Sequence, residues 1–232
     1  MIRSDGRSTS QHRDIRITRG FISSAPGSVL FEAGKTRVLC CATISEKVPP
    51  FLAGTGRGWL TAEYAMLPAS TGSRKPRELL TRDGRSVEIQ RLIGRSLRAA
   101  IDLTKIGERT INIDCDVIEA DGGTRTASIS GGYIALELLL KDMLERKVLL
   151  DMPLKGRMAA ISAGILDGEP VVDFCYTEDA RADADMNIVM LEDKFVDIQC
   201  TGEKAAFTFE QTARVMEMAA SAIQSIYRVI GE

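Results

Sequence analysis

The chain has 232 residues, of which 44% are hydrophobic and 27% are charged, and its formal net charge at pH 7 is −2. This length and composition are typical of a globular protein with a sizeable core and exclude a fibrous or intrinsically disordered chain. No apolar run approaches the ~20 residues that cross a bilayer, and the N-terminus lacks the apolar segment of a signal peptide. Five cysteines without CxxC spacing favour a reduced, cytoplasmic protein.

Hydrophobic periodicity divides the chain into strands and helices. Apolar or alternating runs predict strands at 28–34, 36–44, 110–118, 158–166, 170–176, 187–191 and 195–201. Apolar residues at helical spacing predict a helix at 86–103. A largely apolar segment, in which Gly131 and Gly132 suggest close packing, predicts a helix at 127–146, and a third helix is predicted at 208–230. Thr208 and Gln211 have the spacing of a capping box, whereas region 46–85 is expected to be an irregular insertion. The element order predicts a single α/β (α+β) domain over 1–232, whose second half is a looser copy of the first.

A glycine pair at 122–123 stands directly before the second predicted helix, in the stretch EADGGTRTASIS. Glycines allow the backbone to approach a ligand closely, and the first N–H groups of a helix favour an anion. Thr124 adds a hydroxyl, and Arg125 adds a planar fork that fits two phosphate oxygens. The alternative is that a threonine only caps the helix and that Arg125 pairs with Asp121 or Glu119.

Residues 74–98 carry eight lysines and arginines against three acids, which is a net excess of five positive charges. Three arginines share one helix face, at the spacing i, i+4, i+7: Arg91, Arg95 and Arg98. Such a stripe suits a polyanion that runs along the helix. The alternative is a solvated face on which Glu88 neutralises Arg91. Arg85 precedes this helix, for which Ser86 is a possible cap.

Carboxylates cluster in the stretch YTEDARADADMNIVM at 176–190, where Asp183 lies between Asp179 and Asp185. Such clusters hold Mg²⁺ or Mn²⁺ through oxygen ligands, and one member can have a raised pKa and donate a proton. The alternative is a solvated acidic loop. Together with the glycine–threonine–arginine motif and the basic stripe, the cluster supplies the groups that phosphoryl transfer on a nucleic acid needs. A histidine base inside the fold is not expected, because His12 is the only histidine.

These motifs resemble the ribonuclease PH family, the phosphate-dependent 3′→5′ exoribonucleases related to exosome ring subunits and polynucleotide phosphorylase. Six matching pieces run in family order and are spread over residues 3–203, which is nearly the whole chain. They are RSDGR (3–7), VPPFLAGTGRGWLTAEYAMLP (48–68), GRSVEIQRLIGRSLRAAIDL (84–103), IDCDVIEADGGTRTASI (113–129), EDARADADMN (178–187) and VDIQCTGE (196–203). The fold that the resemblance implies is one ribonuclease PH-type domain made of two similar halves of strands packed with helices.

The resemblance also implies roles for individual residues. The residues matching the family's phosphate-binding motif are Arg85, Gly123, Thr124 and Arg125. The family's catalytic acidic pair, thought to bind a Mg²⁺ or Mn²⁺ ion and to assist departure of the 3′ oxygen, matches Asp179 and Asp185. Contacts to RNA are expected from Arg74, Arg77, Arg91, Arg95 and Arg98. The chain departs from the family pattern at Ala69, where an arginine that engages structured tRNA is usual.

The activity implied is phosphorolysis of RNA 3′ ends, with tRNA precursors as the expected substrates. Inorganic phosphate attacks the last phosphodiester and releases a nucleoside 5′-diphosphate, so that no histidine base is needed. A cytoplasmic hexameric ring, a trimer of dimers, is the expected assembly. The alternative is a non-catalytic RNA-binding ring subunit, but such relatives lack the phosphate arginines or the aspartates. A small-molecule kinase would need a nucleotide-binding glycine loop, and the sequence has none.

Overall fold

The computed structural model of the protein describes residues 3–77 and 83–231. Its first sheet has five strands in the order β1-β2-β3-β5-β4. They are β1 (Ile15–Arg19), β2 (Gly27–Ala33), β3 (Thr36–Ser45), β4 (Trp59–Met66) and β5 (Thr110–Glu119). Neighbouring strands are antiparallel except β4 and β5. These two run parallel because helix α1 (Gly84–Ala100) returns the chain between them.

The second sheet is antiparallel throughout and has the order β7-β6-β8-β9. Its strands are β6 (Met158–Leu166), β7 (Glu169–Val172), β8 (Ala184–Leu191) and β9 (Lys194–Gly202). A single helical turn, α3 (Tyr176–Asp179), lies between β7 and β8 along the chain. Helix α4 (Phe209–Gly231) packs on β6 and β7. No helix among the described residues is both long and apolar enough to cross a membrane.

Helix α2 (Thr124–Glu145) lies between the two sheets and contacts β2 and β3 on one side and β6 on the other. Its burial on nearly all faces explains why the segment is apolar almost throughout. A Cβ on Gly131 would lie 2.7 Å from the Cys40 Sγ, so this glycine permits the close packing that the sequence suggests. One buried apolar cluster runs through both sheets and α2. The start of α2 is therefore held where the two halves of the chain meet.

Most predicted elements are present, but two strands were missed and several ends differ. β1 was not predicted, and β4 lies inside region 46–85, which the sequence predicted to be irregular. β7 ends at Val172 because Asp173 has a left-handed backbone with φ 55°. The capping box at Thr208 and Gln211 is confirmed by reciprocal hydrogen bonds of 2.9 and 3.2 Å.

Candidate active site

The start of α2 is an open helix N-terminus. Gly122 and Gly123 both have left-handed backbones, with φ 77° and 67°, and Gly123 is the N-cap residue without a side-chain cap. A Cβ on Gly122 would lie 2.5 Å from the Phe174 carbonyl oxygen, so only glycine fits there. Within the described part of the chain, the N–H groups of Gly123, Thr124 and Arg125 donate to no residue. Such N–H groups, at the positive end of the helix dipole, are suited to bind an anion.

Side chains from both helices surround this N-terminus. Arg125 lies in the first turn of α2, where its Nη2 forms an ion pair of 2.9 Å with Glu88 of α1. Because Gly123 is the N-cap, neither Thr124 nor Thr126 caps α2. Arg125 pairs with Glu88 and not with Asp121 or Glu119. The Thr124 hydroxyl is hydrogen-bonded at 2.9 Å to the hydroxyl of Tyr64, which reaches it from β4.

Arg85 lies in the first turn of α1 and not before it. The cap is Asp83, whose carboxylate accepts a hydrogen bond of 2.6 Å from the Ser86 N–H, so Ser86 does not cap the helix. The guanidinium of Arg85 is exposed, and its charge acts on the same carboxyl group, Asp179, as that of Arg125. The starts of α1 and α2 thus bring two positive charges to one place.

Asp179 and Asp185 approach this place from the second sheet. Asp179 ends α3, and Asp185 lies near the start of β8. Burial and the charge of Asp179 raise the pKa of Asp185 to about 6, while Arg125 acts in the opposite direction. The pKa of Asp179 is raised by partial desolvation of its carboxyl group, although the residue as a whole is exposed, and Arg85 and Arg125 oppose this shift. The two carboxyl groups therefore repel each other and lie within electrostatic range of the arginines.

A cleft of about 510 Å³ contains one residue from each group, Arg125 and Asp185. Its walls include Arg125, Asp185 and Glu88, together with residues of β9. Asn187 donates a hydrogen bond of 3.3 Å to the Asp185 carboxylate. Asp183, by contrast, has a structural role, because its carboxylate accepts a hydrogen bond of 2.9 Å from the Gly168 N–H.

The chain matches known proteins over nearly its whole length. The family models described as 3′ exoribonuclease family, domain 1 and domain 2, match residues 11–139 and 156–222. Ribonuclease PH of Corynebacterium diphtheriae is 52% identical over 227 residues, which are 97% of this chain and 94% of the relative. Ribonuclease PH of Solibacter usitatus is 49% identical over 231 residues, which are 98% of this chain and 97% of the relative. This chain belongs to the 3′ exoribonuclease family, in its ribonuclease PH branch.

Solved structures of more distant proteins share the ribonuclease PH fold. A structure of rice (Oryza sativa) Rrp46 has a TM-score of 0.80 at 20% identity, and the match covers 98% of each chain. A structure of the Archaeoglobus fulgidus exosome with RNA bound to the active site has a TM-score of 0.82 at 20% identity. That match covers 97% of this chain and 91% of the exosome chain. At this identity the two structures establish the fold alone.

On α1 of this chain, fewer arginines of the basic stripe are available on the surface than the sequence spacing predicts. Arg91 is exposed and forms no ion pair within the described ranges. Arg95 forms an ion pair of 2.7 Å with Asp197 of β9. Arg98 lies 4.7 Å from the centre of the Trp59 ring and donates to the Leu60 carbonyl at 3.0 Å, so it fastens α1 to β4. Only Arg91 and Arg95 thus remain directed toward solvent.

The loop after β4 carries the two other arginines expected to contact RNA. Arg74 and Arg77 are both exposed. The loop is anchored at Ser70, whose carbonyl accepts a hydrogen bond of 2.8 Å from the Ala120 N–H, two residues before the glycine pair. Arg82, a further member of the basic stretch, lies outside the described residues.

Three arginines of the N-terminal segment were not predicted to belong to the site. Arg3 is 3% and Arg13 is 7% exposed, and they form ion pairs of 2.6 and 2.7 Å with Glu178 and Asp173. Arg7 lies 3.2 Å from Asp173. The partners are 160 or more positions away in sequence, so local pattern gives no signal for them. These arginines brace the segments that carry the glycine pair and Asp179.

Proposed function

We propose that Arg85, Gly123, Thr124 and Arg125 bind the inorganic phosphate with which this chain cleaves RNA. The chain is a phosphate-dependent 3′→5′ exoribonuclease of the nucleotidyltransferase class, with phosphate as its co-substrate. One observation supports the residue assignment most. Arg125, in the first turn of α2 beside the open N–H groups, lines a cleft together with Asp185, and the charges of Arg85 and Arg125 both act on Asp179. Donors for a phosphate and carboxyl groups for the leaving oxygen thus lie side by side.

The reaction needs an in-line exchange of two oxygens on phosphorus. An oxygen of the bound phosphate forms a bond to the terminal phosphorus of the RNA, and the bond from that phosphorus to the 3′ oxygen breaks. The released 3′ oxygen must gain a proton. In the absence of a bound cation, a protonated Asp185 carboxyl can donate it, since its pKa of about 6 leaves part of the population protonated near neutral pH, whereas a carboxylate that binds a cation is ionised and cannot donate. His12 is not available for this, because its ring nitrogens are hydrogen-bonded to the Arg13 carbonyl and to Ser225.

Asp179 and Asp185 would hold a Mg²⁺ or Mn²⁺ ion. Mg²⁺ is commonly bound through one or two carboxylates plus substrate phosphates, and the mutual repulsion of this pair fits such a ligand set. A bound ion would supply charge stabilisation at the departing 3′ oxygen. Among residues 3–77 and 83–231, no group of three or more His, Cys, Asp or Glu side chains is arranged to hold a metal. We therefore expect the RNA and phosphate oxygens to complete the coordination.

The direct test is RNA degradation with Mg²⁺ present, with and without inorganic phosphate, followed by identification of the released nucleotides. We expect nucleoside 5′-diphosphates only when phosphate is added. Release of monophosphates in the absence of phosphate would make water the nucleophile and contradict the phosphate site. No degradation under either condition would favour the non-catalytic RNA-binding subunit.

We further propose that the RNA backbone follows the exposed face of α1 past Arg91 and Arg95. The logarithm of the RNA affinity is expected to fall linearly with the logarithm of salt concentration, and Arg91→Ala is expected to reduce this slope by about 0.7. The measurement is fluorescence anisotropy of single-stranded RNA at several salt concentrations. Arg214→Ala is the control, because Arg214 lies exposed on α4 and pairs with Glu217. An unchanged slope for Arg91→Ala would remove this residue from the RNA path.

Four further expectations remain proposals. The two halves fold as one domain, the protein is cytoplasmic, tRNA precursors are its preferred substrates, and it assembles as a hexamer. The segment with Arg74 and Arg77 would contact the structured part of a tRNA, although Ala69 removes one positive charge that relatives usually have there. Sedimentation of the purified protein at the mass of a single chain, with full activity, would contradict the ring.

A further inference from the structure

We propose that Arg13 and Asp173 are positioning residues for phosphorolysis, which fix the glycine pair at 122–123 against the segment that carries Asp179. This inference rests on the phosphate site proposed at the start of α2. Arg13 belongs to the N-terminal segment, and its buried guanidinium donates hydrogen bonds to the backbone carbonyls of Asp121 and Gly122. Neither residue lines the cleft, so both act through the groups that they hold.

The planar guanidinium of Arg13 donates hydrogen bonds both to the Asp173 carboxylate and to the backbone before the glycine pair. Its Nε and Nη2 donate to the two Asp173 carboxylate oxygens at 2.9 and 2.7 Å, and its backbone N–H donates to the same carboxylate at 2.6 Å. Its Nη1 donates to the Asp121 carbonyl at 2.5 Å, and Nη2 also reaches the Gly122 carbonyl at 3.4 Å. Holding a carboxylate and two carbonyls together requires the fixed geometry of a guanidinium, which a lysine does not have.

Asp173 connects this fork to the aspartate segment. Its backbone N–H donates to the Ser162 carbonyl at 2.6 Å, and its φ of 55° turns the chain from β7 toward α3. The pKa of Asp173 is lowered despite its burial, because Arg13 and Arg7 stabilise the carboxylate. A second connection runs at the surface, where the Asp121 carboxylate accepts a hydrogen bond of 3.2 Å from the Tyr176 N–H, at the first residue of α3.

The network therefore joins two segments of the proposed site. One is the loop whose N–H groups would hold phosphate, and the other is the short helix that ends at Asp179. A four-residue helix is too short to hold its own position, since it has few internal hydrogen bonds. Burying a guanidinium and a carboxylate costs desolvation energy, and such a pair is a poor way to gain stability alone. Its contacts are to the backbone of the site, which points to a positioning role.

The test compares Arg13→Lys with wild type in steady-state phosphorolysis. We expect the KM for phosphate to rise about 10-fold or more, which is the loss of one hydrogen bond to a charged group. RNA affinity measured without phosphate is expected to change less than about twofold. Tyr227→Phe is the control for general destabilisation, because it removes the buried hydrogen bond of 2.9 Å that Tyr227 of α4 donates to the Met190 carbonyl of β8, and neither residue lines the cleft. It should lower the melting temperature without changing the KM for phosphate.

A surface variant keeps the inference testable if Arg13→Lys does not fold. Asp121→Ala removes the acceptor for the Tyr176 N–H at a partly exposed position and should raise the KM for phosphate about 3-fold. An unchanged KM for phosphate in the folded variants, or a loss of RNA affinity in proportion, would overturn the positioning role. A different result would contradict the proposed phosphate site itself, namely an unchanged KM for phosphate in Arg125→Ala.

Discussion

Arg125→Ala is expected to lower kcat/KM for phosphate by a factor of about 100 or more. Each hydrogen bond between a charged donor and a phosphate oxygen contributes on the order of 1.5–3 kcal/mol, and a guanidinium can make two. Across residues 3–77 and 83–231, the guanidinium of Arg125 forms one ion pair, with Glu88 at 2.9 Å, so most of its donors are available for phosphate. The measurement is the initial rate of nucleoside diphosphate release as a function of phosphate concentration.

The same helix provides the control for this variant. Arg146 lies at the opposite end of α2, is mostly exposed and pairs with Asp142 one turn before it. Arg146→Ala changes the net charge by the same amount but should leave phosphate use unchanged. Arg85→Ala should resemble Arg125→Ala, because both charges act on Asp179. If Arg125→Ala behaved like Arg146→Ala, the phosphate would have to bind elsewhere.

The parts of the fold that the sequence predicted are those with a local pattern. Helices α1 and α4 have apolar residues at helical spacing, α2 is a long segment that is apolar almost throughout, and the capping box marks the start of α4. β4 was missed because its partner is β5, about 50 positions further along, and parallel pairing leaves no nearby turn as a signal. β1 is a five-residue edge strand, IRITR, whose alternating pattern is too short and too rich in arginine to be distinguished from an exposed loop by composition.

The candidate site was predictable to a similar extent. The glycine pair and Arg125 could be found because the preference of helix starts for glycine and anions is a local property. The partners of Arg125 and Arg13 could not be found, since Glu88 and Asp173 come from distant segments. The sequence paired Glu88 with Arg91, which is its neighbour on a helix face. Tertiary packing instead directs Glu88 across to α2, so that two helices share one charged pair.

Asp185→Asn is expected to remove nearly all phosphorolysis while making the folded protein more stable at neutral pH. The carboxyl group lies in the cleft that also contains Arg125, and loss of a group that holds a metal or moves a proton commonly costs 100-fold or more in rate. The folded-state pKa of about 6 is above the ordinary value of 3.8. The fold therefore favours the neutral form and is penalised where Asp185 is ionised.

The sign of the pH dependence follows from this shift. Between the unfolded and folded pKa values the folded state binds more protons, so the free energy of unfolding falls as pH rises through this window and stays lower above pH ~6. Asparagine cannot ionise, and at pH 7.5 it should raise the free energy of unfolding by about 1–3 kcal/mol. The gain should shrink to at most about 1 kcal/mol at pH 4.5, because Asp185 is then almost fully neutral in the folded state and only its ionisation in the unfolded state still disfavours the wild type.

The measurement is urea unfolding of wild type and Asp185→Asn at both pH values and at one protein concentration, with and without Mg²⁺. If Asp179 and Asp185 hold the ion, Mg²⁺ should stabilise the wild type at pH 7.5 and stabilise the variant much less. Asn187→Ala tests the surroundings, because it removes the hydrogen bond of 3.3 Å that favours the ionised carboxylate and should raise the Asp185 pKa further. Equal stability of Asp185→Asn and wild type at pH 7.5 would mean that the ionised Asp185 is not penalised in the fold. Its part in moving the proton would then need another explanation.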